Sequence, residues 1–211
     1  MTTIIDFIIH IDEHIADFVT QYGALTYGIL FAIIFCETGL VVTPFLPGDS
    51  LLFAAGMTAA ATNGGLDPFL LFFLLSVAAV AGNIVNYHIG RKFGEAVLKQ
   101  KMQAYLEKTH DFYEKYGAAT LVLARFMPFI RTFAPFVAGA SKMTYGKFML
   151  YNLIGGVLWV ATFVFLGYLF GDIPVVKENF SLVTILILVV TSAPPLVALA
   201  RQFLKGRKAR S

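Results

Sequence analysis

Phe35-Cys36-Glu37-Thr38-Gly39-Leu40-Val41-Val42-Thr43-Pro44-Phe45-Leu46-Pro47-Gly48-Asp49-Ser50 is the stretch that decides the fold. It interrupts an apolar segment running from 24 to 61. About 13 apolar residues lead to Glu37 and about 12 small or apolar residues follow Asp49, so neither half reaches the ~20 residues a helix needs to cross a hydrocarbon core. Pro44, Pro47 and Gly48 end one helix before the next begins. Two half-helices joined by an irregular turn make a re-entrant hairpin, and such backbone survives at membrane depth only against protein or enclosed water.

The rest of the chain asks for the same solvent. Of 211 residues, 58% are apolar and 14% charged. That leaves too few polar side chains to cover a soluble domain, and the apolar residues come in long blocks. The single cysteine, Cys36, excludes an internal disulfide. The acidic N-terminal residues are unlike the basic start of a secretory leader. No Lys or Arg precedes Arg91; basic residues then gather at 91–115, at Lys142 and Lys147, and from Arg201 onward. The positive-inside rule places those three segments in the cytoplasm.

On that orientation residues 1–22 form an amphipathic helix on the outer surface, with Ile4, Ile8, Ile11, Ile15, Phe18 and Tyr22 on its apolar face. Residues 69–89 span inward, and 95–116 form a basic amphipathic stretch. Residues 118–141 are a second interrupted segment, broken by Pro128, Arg131 and Pro135. Residues 148–170 span outward, and 180–200 return, leaving a basic cytoplasmic tail. The expected location is a bacterial inner membrane, crossed several times, with the C-terminus cytoplasmic.

One membrane domain with an internal repeat is expected. Asp17-Phe18 and Tyr22-Gly23-Ala24 recur as Asp111-Phe112 and Tyr116-Gly117-Ala118, a shift of 94. Gly90-Arg91-Lys92-Phe93-Gly94 corresponds to Gly167-Tyr168-Leu169-Phe170-Gly171. Each half reads as interface helix, broken hairpin and spanning helix: about 1–94 with the hairpin 24–61, and about 95–171 with the hairpin 118–141. A single spanning helix between the halves makes the repeat inverted. The expected fold class is therefore all-α integral membrane, an inverted repeat plus a C-terminal transmembrane helix at 180–200.

Four charges fall in or beside the hairpins: Glu37 and Asp49 on the first, Arg125 and Arg131 on the second. Each costs roughly 3 kcal/mol or more at the centre of a bilayer, so such groups pair, line a wet cavity or serve function. Arginines grip phosphate through planar, charge-assisted forks. Desolvated carboxyls take up protons. Together they suit proton-coupled movement of an anionic or phosphorylated solute, with Arg125 and Arg131 on the phosphate and Glu37 and Asp49 coupling protons or gating. The alternative is two structural salt bridges that fix the hairpins.

Other features are weaker. Asn83, Asn86 and Asn152 are candidates for cavity lining. Gly82, Gly90, Gly155, Gly156 and Trp159 read as helix packing, with lipid contact a second reading for Trp159. His10 and His14 are four apart beside acids, which suits the polar side of an interface helix better than a metal. No metal or cofactor is expected. No serine–histidine pairing or phosphate loop argues for an enzyme, and nothing argues for nucleic acid. A homo-oligomer stays open.

The run Phe35 to Gly39, continued by Pro44 to Ser50, resembles the DedA family of bacterial membrane proteins, part of the VTT-domain superfamily. So does Ala124-Arg125-Phe126-Met127-Pro128-Phe129-Ile130-Arg131-Thr132-Phe133-Ala134-Pro135 with Ala138-Gly139. Gly82 to Gly94 and Tyr151-Asn152 to Gly171 match as well, so the likeness covers nearly the whole chain. The resemblance implies two oppositely oriented re-entrant hairpins, a fold shared with eukaryotic relatives that scramble phospholipids. It implies translocation of undecaprenyl phosphate, or a part in membrane-potential homeostasis. It also implies functional weight for the acids Glu37 and Asp49 and the arginines Arg125 and Arg131. Asn83 departs from relatives that often carry Asp there, which counts against a proton relay at that position. Three functions are thus expected to compete: a lipid-phosphate translocase, a proton- or ion-coupled transporter of a small solute, and a membrane-organising scaffold.

Overall fold

The structure, a computed structural model, describes residues 22–40, 48–61, 65–97 and 119–171, with 173, 174, 176, 182 and 183. The elements among the described residues are helices: α1 (Leu25–Gly39), α2 (Gly48–Ala61), α3 (Pro68–Val97), α4 (Ala119–Ala124), α5 (Pro128–Ala140) and α6 (Tyr145–Phe170). No strand occurs among the described residues. Nearly all of the expected outer helix 1–22 and basic stretch 95–116, the turn carrying Pro44 and Pro47, and most of the span 180–200 with the tail lie outside the described residues.

Among the described residues, two helices are long and apolar enough to cross a membrane, over Pro68–Gly94 and Tyr145–Phe170. At 1.5 Å per residue each exceeds a hydrocarbon core of ~30 Å. Asp67 and Pro68 start the first of them. The Asp67 carboxylate accepts the Leu70 N–H at 2.7 Å, as a cap does three residues on, and proline at the first position has no N–H to leave orphaned. Phe69, Phe73, Leu150, Leu158 and Leu169 face outward from these helices, which gives them an apolar exterior suited to lipid.

The other helices are short. α1 has 15 residues and α2 has 14, so both stop short of a full crossing. Between α4 and α5 the chain breaks at Arg125–Met127. Three tight turns, Arg125, Phe126 and Met127 N–H to the carbonyls three residues earlier, close α4. Met127 is then extended (φ −114°, ψ 106°), the conformation forced on a residue preceding proline, and Pro128 opens α5. The break expected within 118–141 is therefore at Pro128 and the three residues before it. Pro135 is a correction: it lies inside α5, which runs on to Ala140. A proline removes one helical hydrogen bond, but a helix packed along its length against a neighbour keeps its course.

That packing is reciprocal: each long helix lies on one of the short ones. α3 lies on α5, where a Cβ on Gly90 would strike the carbonyl of Phe136 and one on Gly139 the carbonyl of Tyr87. α6 lies on α2, where a Cβ on Gly167 would strike the carbonyl of Phe53 and one on Gly56 the carbonyl of Val164. Small residues allow this backbone approach without lipid between helices. Gly56→Ala and Gly139→Ala are each expected to cost about 1–3 kcal/mol by overpacking. Gly28→Ala and Gly146→Ala, where the added methyl meets nothing within 4 Å, should leave stability unchanged or slightly raised. Thermal unfolding in detergent checks all four.

Candidate functional site

The ends of the short helices converge with the middles of the long ones. The last turn of α1 brings Glu37 and Thr38. The first turn of α2 brings Asp49, the break brings Arg125, and the start of α5 brings Arg131 and Thr132. The polar faces of α3 and α6 contribute Asn83, Asn86, Asn152 and Trp159. All ten of these residues are buried. Glu37, Thr38, Asn83, Arg125, Arg131, Thr132 and Trp159 line a small cavity of about 10 Å³, roughly the space of one water molecule.

Arg131 forks between the two acids. Its Nη1 donates to Asp49 Oδ1 and its Nη2 to Glu37 Oε1. Trp159 Nε1 adds a hydrogen bond to the same Asp49 oxygen at 2.8 Å, and the Arg131 guanidinium lies 5.0 Å from the centre of the indole. Two groups are left over. Among the described residues, no side chain donates to Glu37 Oε2 and none accepts from Arg131 Nε, although both are buried; the Gly48 N–H lies near the Glu37 carboxylate. Glu37 Oε2 rests against Gly48, where any side chain would collide with the carboxylate. Gly48 therefore makes room for Glu37 as well as opening α2.

Arg125 stands apart from this triad. Its Nη2 donates to Asn152 Oδ1 at 2.6 Å, and Asn152 in turn donates to the Val80 carbonyl at 3.1 Å. Asn83 lies on the same guanidinium. A donor facing Arg125 Nη2 would be repelled, so the amide oxygen of Asn83 takes that side and its nitrogen points to the Thr38 carbonyl, 3.3 Å away. Among the described residues Arg125 has no acidic partner, and it is only 4% exposed. Gly155 and Gly156 border its side chain, so they make space for the guanidinium as well as for helix packing.

The remaining expected residues fall as follows. Asn152 reaches the site through Arg125, and Asn83 lines the pocket. Asn86 works as a strap: its Nδ2 donates to the Thr38 carbonyl at 3.1 Å and the Thr132 carbonyl at 2.9 Å, tying α1 and α5 to α3. Side chains at Pro44 and Pro47 lie outside the described residues. Trp159 is a member of the site that its apolar surroundings in the sequence concealed. A buried indole needs an acceptor for its N–H, and Trp159 follows Asn152 by two helical turns on the same face. Those two facts were the available signal. No group of three or more metal-ligating side chains occurs among the described residues.

A family model, the VTT domain, matches residues 46–169 of the chain. Protein DedA of Escherichia coli (strain K12) is 51% identical over 203 residues, which cover 94% of this chain and 93% of that protein. The uncharacterized membrane protein ML0287 of Mycobacterium leprae is 42% identical over 171 residues, covering 79% and 76%. Inner membrane protein YqjA of Escherichia coli (strain K12) is 37% identical over 156 residues, covering 72% and 70%. No solved structure matches the chain.

Proposed function

This chain belongs to the VTT-domain family of membrane proteins, the DedA family, and on that premise we propose that it carries a lipid phosphate between the leaflets of a bacterial inner membrane, coupled to protons. The cargo is a polyprenyl phosphate such as undecaprenyl phosphate. The reading is of a carrier, not an enzyme. One observation carries it: Arg125 and Arg131 line one buried pocket, and Arg125 has only neutral partners there. A buried guanidinium without an acid is costly unless an anion completes it. Asp49 in the first turn of α2 and Arg131 near the start of α5 also mark two helix N-termini at the pocket, whose dipoles favour negative charge.

The coupling follows from the fork. With Glu37 ionised, Arg131 is held by both acids and offers a phosphate no bidentate edge. A proton on Glu37 breaks the pair and frees Nη2. Among the described residues Arg131 Nε is already without a partner, and Nε with Nη2 is one bidentate edge of a guanidinium. A phosphate then sits between that edge and Arg125. Loss of the proton recaptures Arg131 and expels the headgroup. The polyprenyl tail stays in lipid throughout, against the apolar exterior of α3 and α6.

The same reading takes α1–α2 and α4–α5 as re-entrant hairpins of an inverted repeat, entering from opposite faces. Glu37 and Arg131, which pair, are 94 residues apart, the shift that relates Tyr22-Gly23-Ala24 to Tyr116-Gly117-Ala118. Thr38 and Thr132 stand at the same shift, and both their carbonyls accept from Asn86. The offset from Gly90 to Gly167 also relates Tyr87 to Val164, and the offset from Gly56 to Gly139 relates Phe53 to Phe136. The reciprocal glycine contacts therefore support a pseudo-twofold axis through the Glu37–Arg131 pair. A site on such an axis is presented alike to either side.

Reconstitution tests the proposal. Purified protein in liposomes should move a labelled polyprenyl phosphate between leaflets faster than empty liposomes do, and should leave the uncharged polyprenol where it is. No acceleration would overturn the proposal. Uptake of inorganic phosphate down a pH gradient, without lipid movement, would replace it with a small-solute carrier.

A further inference from the structure

We infer that Trp159 makes the two acids unequal: it clamps Asp49 in place as the fixed counter-ion of Arg131 and leaves Glu37 as the group that exchanges the proton. The inference rests on the proton-coupled reading above. Its evidence is the uneven distribution of donors. Asp49 Oδ1 accepts from both Arg131 Nη1 and Trp159 Nε1. Glu37 is the more deeply buried acid, at 1% exposure against 8%. It receives one arm of Arg131 on Oε1, and among the described residues Oε2 meets no side-chain donor, only the nearby Gly48 N–H. A proton arriving at Oε2 costs the Nη2 contact alone, whereas Asp49 is held by two side-chain donors.

Among the described residues, the groups that face Glu37 are few. Asp49 faces it from α2, Arg131 from α5 and Arg125 from the break before α5. From α3 only the neutral amides of Asn83 and Asn86 approach, and from α6 the indole. Trp159 is thus a positioning residue. Its N–H orients Asp49, and its ring lies against the Arg131 guanidinium, a cation–π arrangement that keeps Arg131 in register while Glu37 lets go.

The chain has one tryptophan, so its indole fluorescence reports on this site alone. In detergent, acid titration of the wild-type protein is expected to shift Trp159 emission in a single transition. Glu37→Gln should abolish that transition. Asp49→Asn should keep it, with the starting emission moved because the indole has lost its carboxylate. A transition that survives in Glu37→Gln, or one lost only in Asp49→Asn, overturns the inference. Trp159→Phe tests the positioning role by infrared spectroscopy of the protonated carboxyl band. The wild type should gain one such carboxyl on acidification from within the pocket, and Trp159→Phe should gain a second, abolished by Asp49→Asn. An unchanged band count in Trp159→Phe would show that the indole does not separate the acids, and this arm holds even if Glu37→Gln fails to fold. None of these measurements requires transport. A protein that titrates at Glu37 yet moves no lipid phosphate therefore refutes the carrier reading and spares this one.

Discussion

Arg131→Met is expected to destabilise the protein by about 3–5 kcal/mol and to abolish transport with it. The substitution keeps much of the apolar length of the side chain but removes the only cation among the described residues that touches Glu37 and Asp49. Two carboxylates are then left buried and facing one another, and neither has a second acid-binding partner among the described residues beyond the indole N–H on Asp49. Denaturant or thermal unfolding in detergent measures the loss. Adding Glu37→Gln and Asp49→Asn should recover most of the stability, because the uncompensated charge is gone, while transport stays absent. Arg131→Lys separates charge from geometry. A lysine ammonium neutralises the acids but has no planar fork, so folding should survive while phosphate transport falls about 10–100-fold, the loss expected for one or two charge-assisted hydrogen bonds.

Arg125→Gln should show the opposite balance. Transport is expected to fall at least about 100-fold, since the pocket cation that no acid among the described residues neutralises is gone. Stability should change by no more than about 1–2 kcal/mol, because the groups left behind are amides and glycines rather than charges. The glutamine amide can still donate to Asn152. A helical circular dichroism spectrum and an unfolding midpoint close to wild type, beside absent transport, would mark Arg125 as the anion's residue. A collapse equal to that of Arg131→Met would mark it as architecture instead.

The contrast between the two arginines is the part the sequence did not reveal. Both lie in one short apolar stretch, six residues apart, and both read as phosphate ligands. What separates them is the break at Arg125–Met127, which leaves Arg125 facing α6 while Arg131 enters α5 facing α1 and α2. Only tertiary contacts make that choice. The gathering of Glu37, Asp49, Arg125 and Arg131 was legible, because four charges in apolar half-helices have nowhere to go except toward one another. The close helix contacts were legible too, from Gly82 and Gly90. Pro135 misled because an isolated helix is broken by proline, whereas α5 is held by α3 through Gly90 and Gly139. Trp159 was passed over because an aromatic in an apolar helix usually packs or meets lipid. Its N–H, which needed an acceptor at that depth, was the clue.

The shift of 94 that relates Tyr22-Gly23-Ala24 to Tyr116-Gly117-Ala118 also sets Phe35, Glu37 and Thr38 against Phe129, Arg131 and Thr132. At that offset the acid and the base that pair, Glu37 and Arg131, stand opposite one another, which supports the proposed inverted repeat.

The most direct test is a pH gradient across liposomes holding the protein in both leaflets' reach of a labelled polyprenyl phosphate. If a proton on Glu37 and a phosphate on Arg125 and Arg131 cross together, the lipid should accumulate in the leaflet on the alkaline side, and Glu37→Gln should erase the accumulation. An even distribution at every gradient, with uncharged polyprenol moving as fast as the phosphate, would contradict the account.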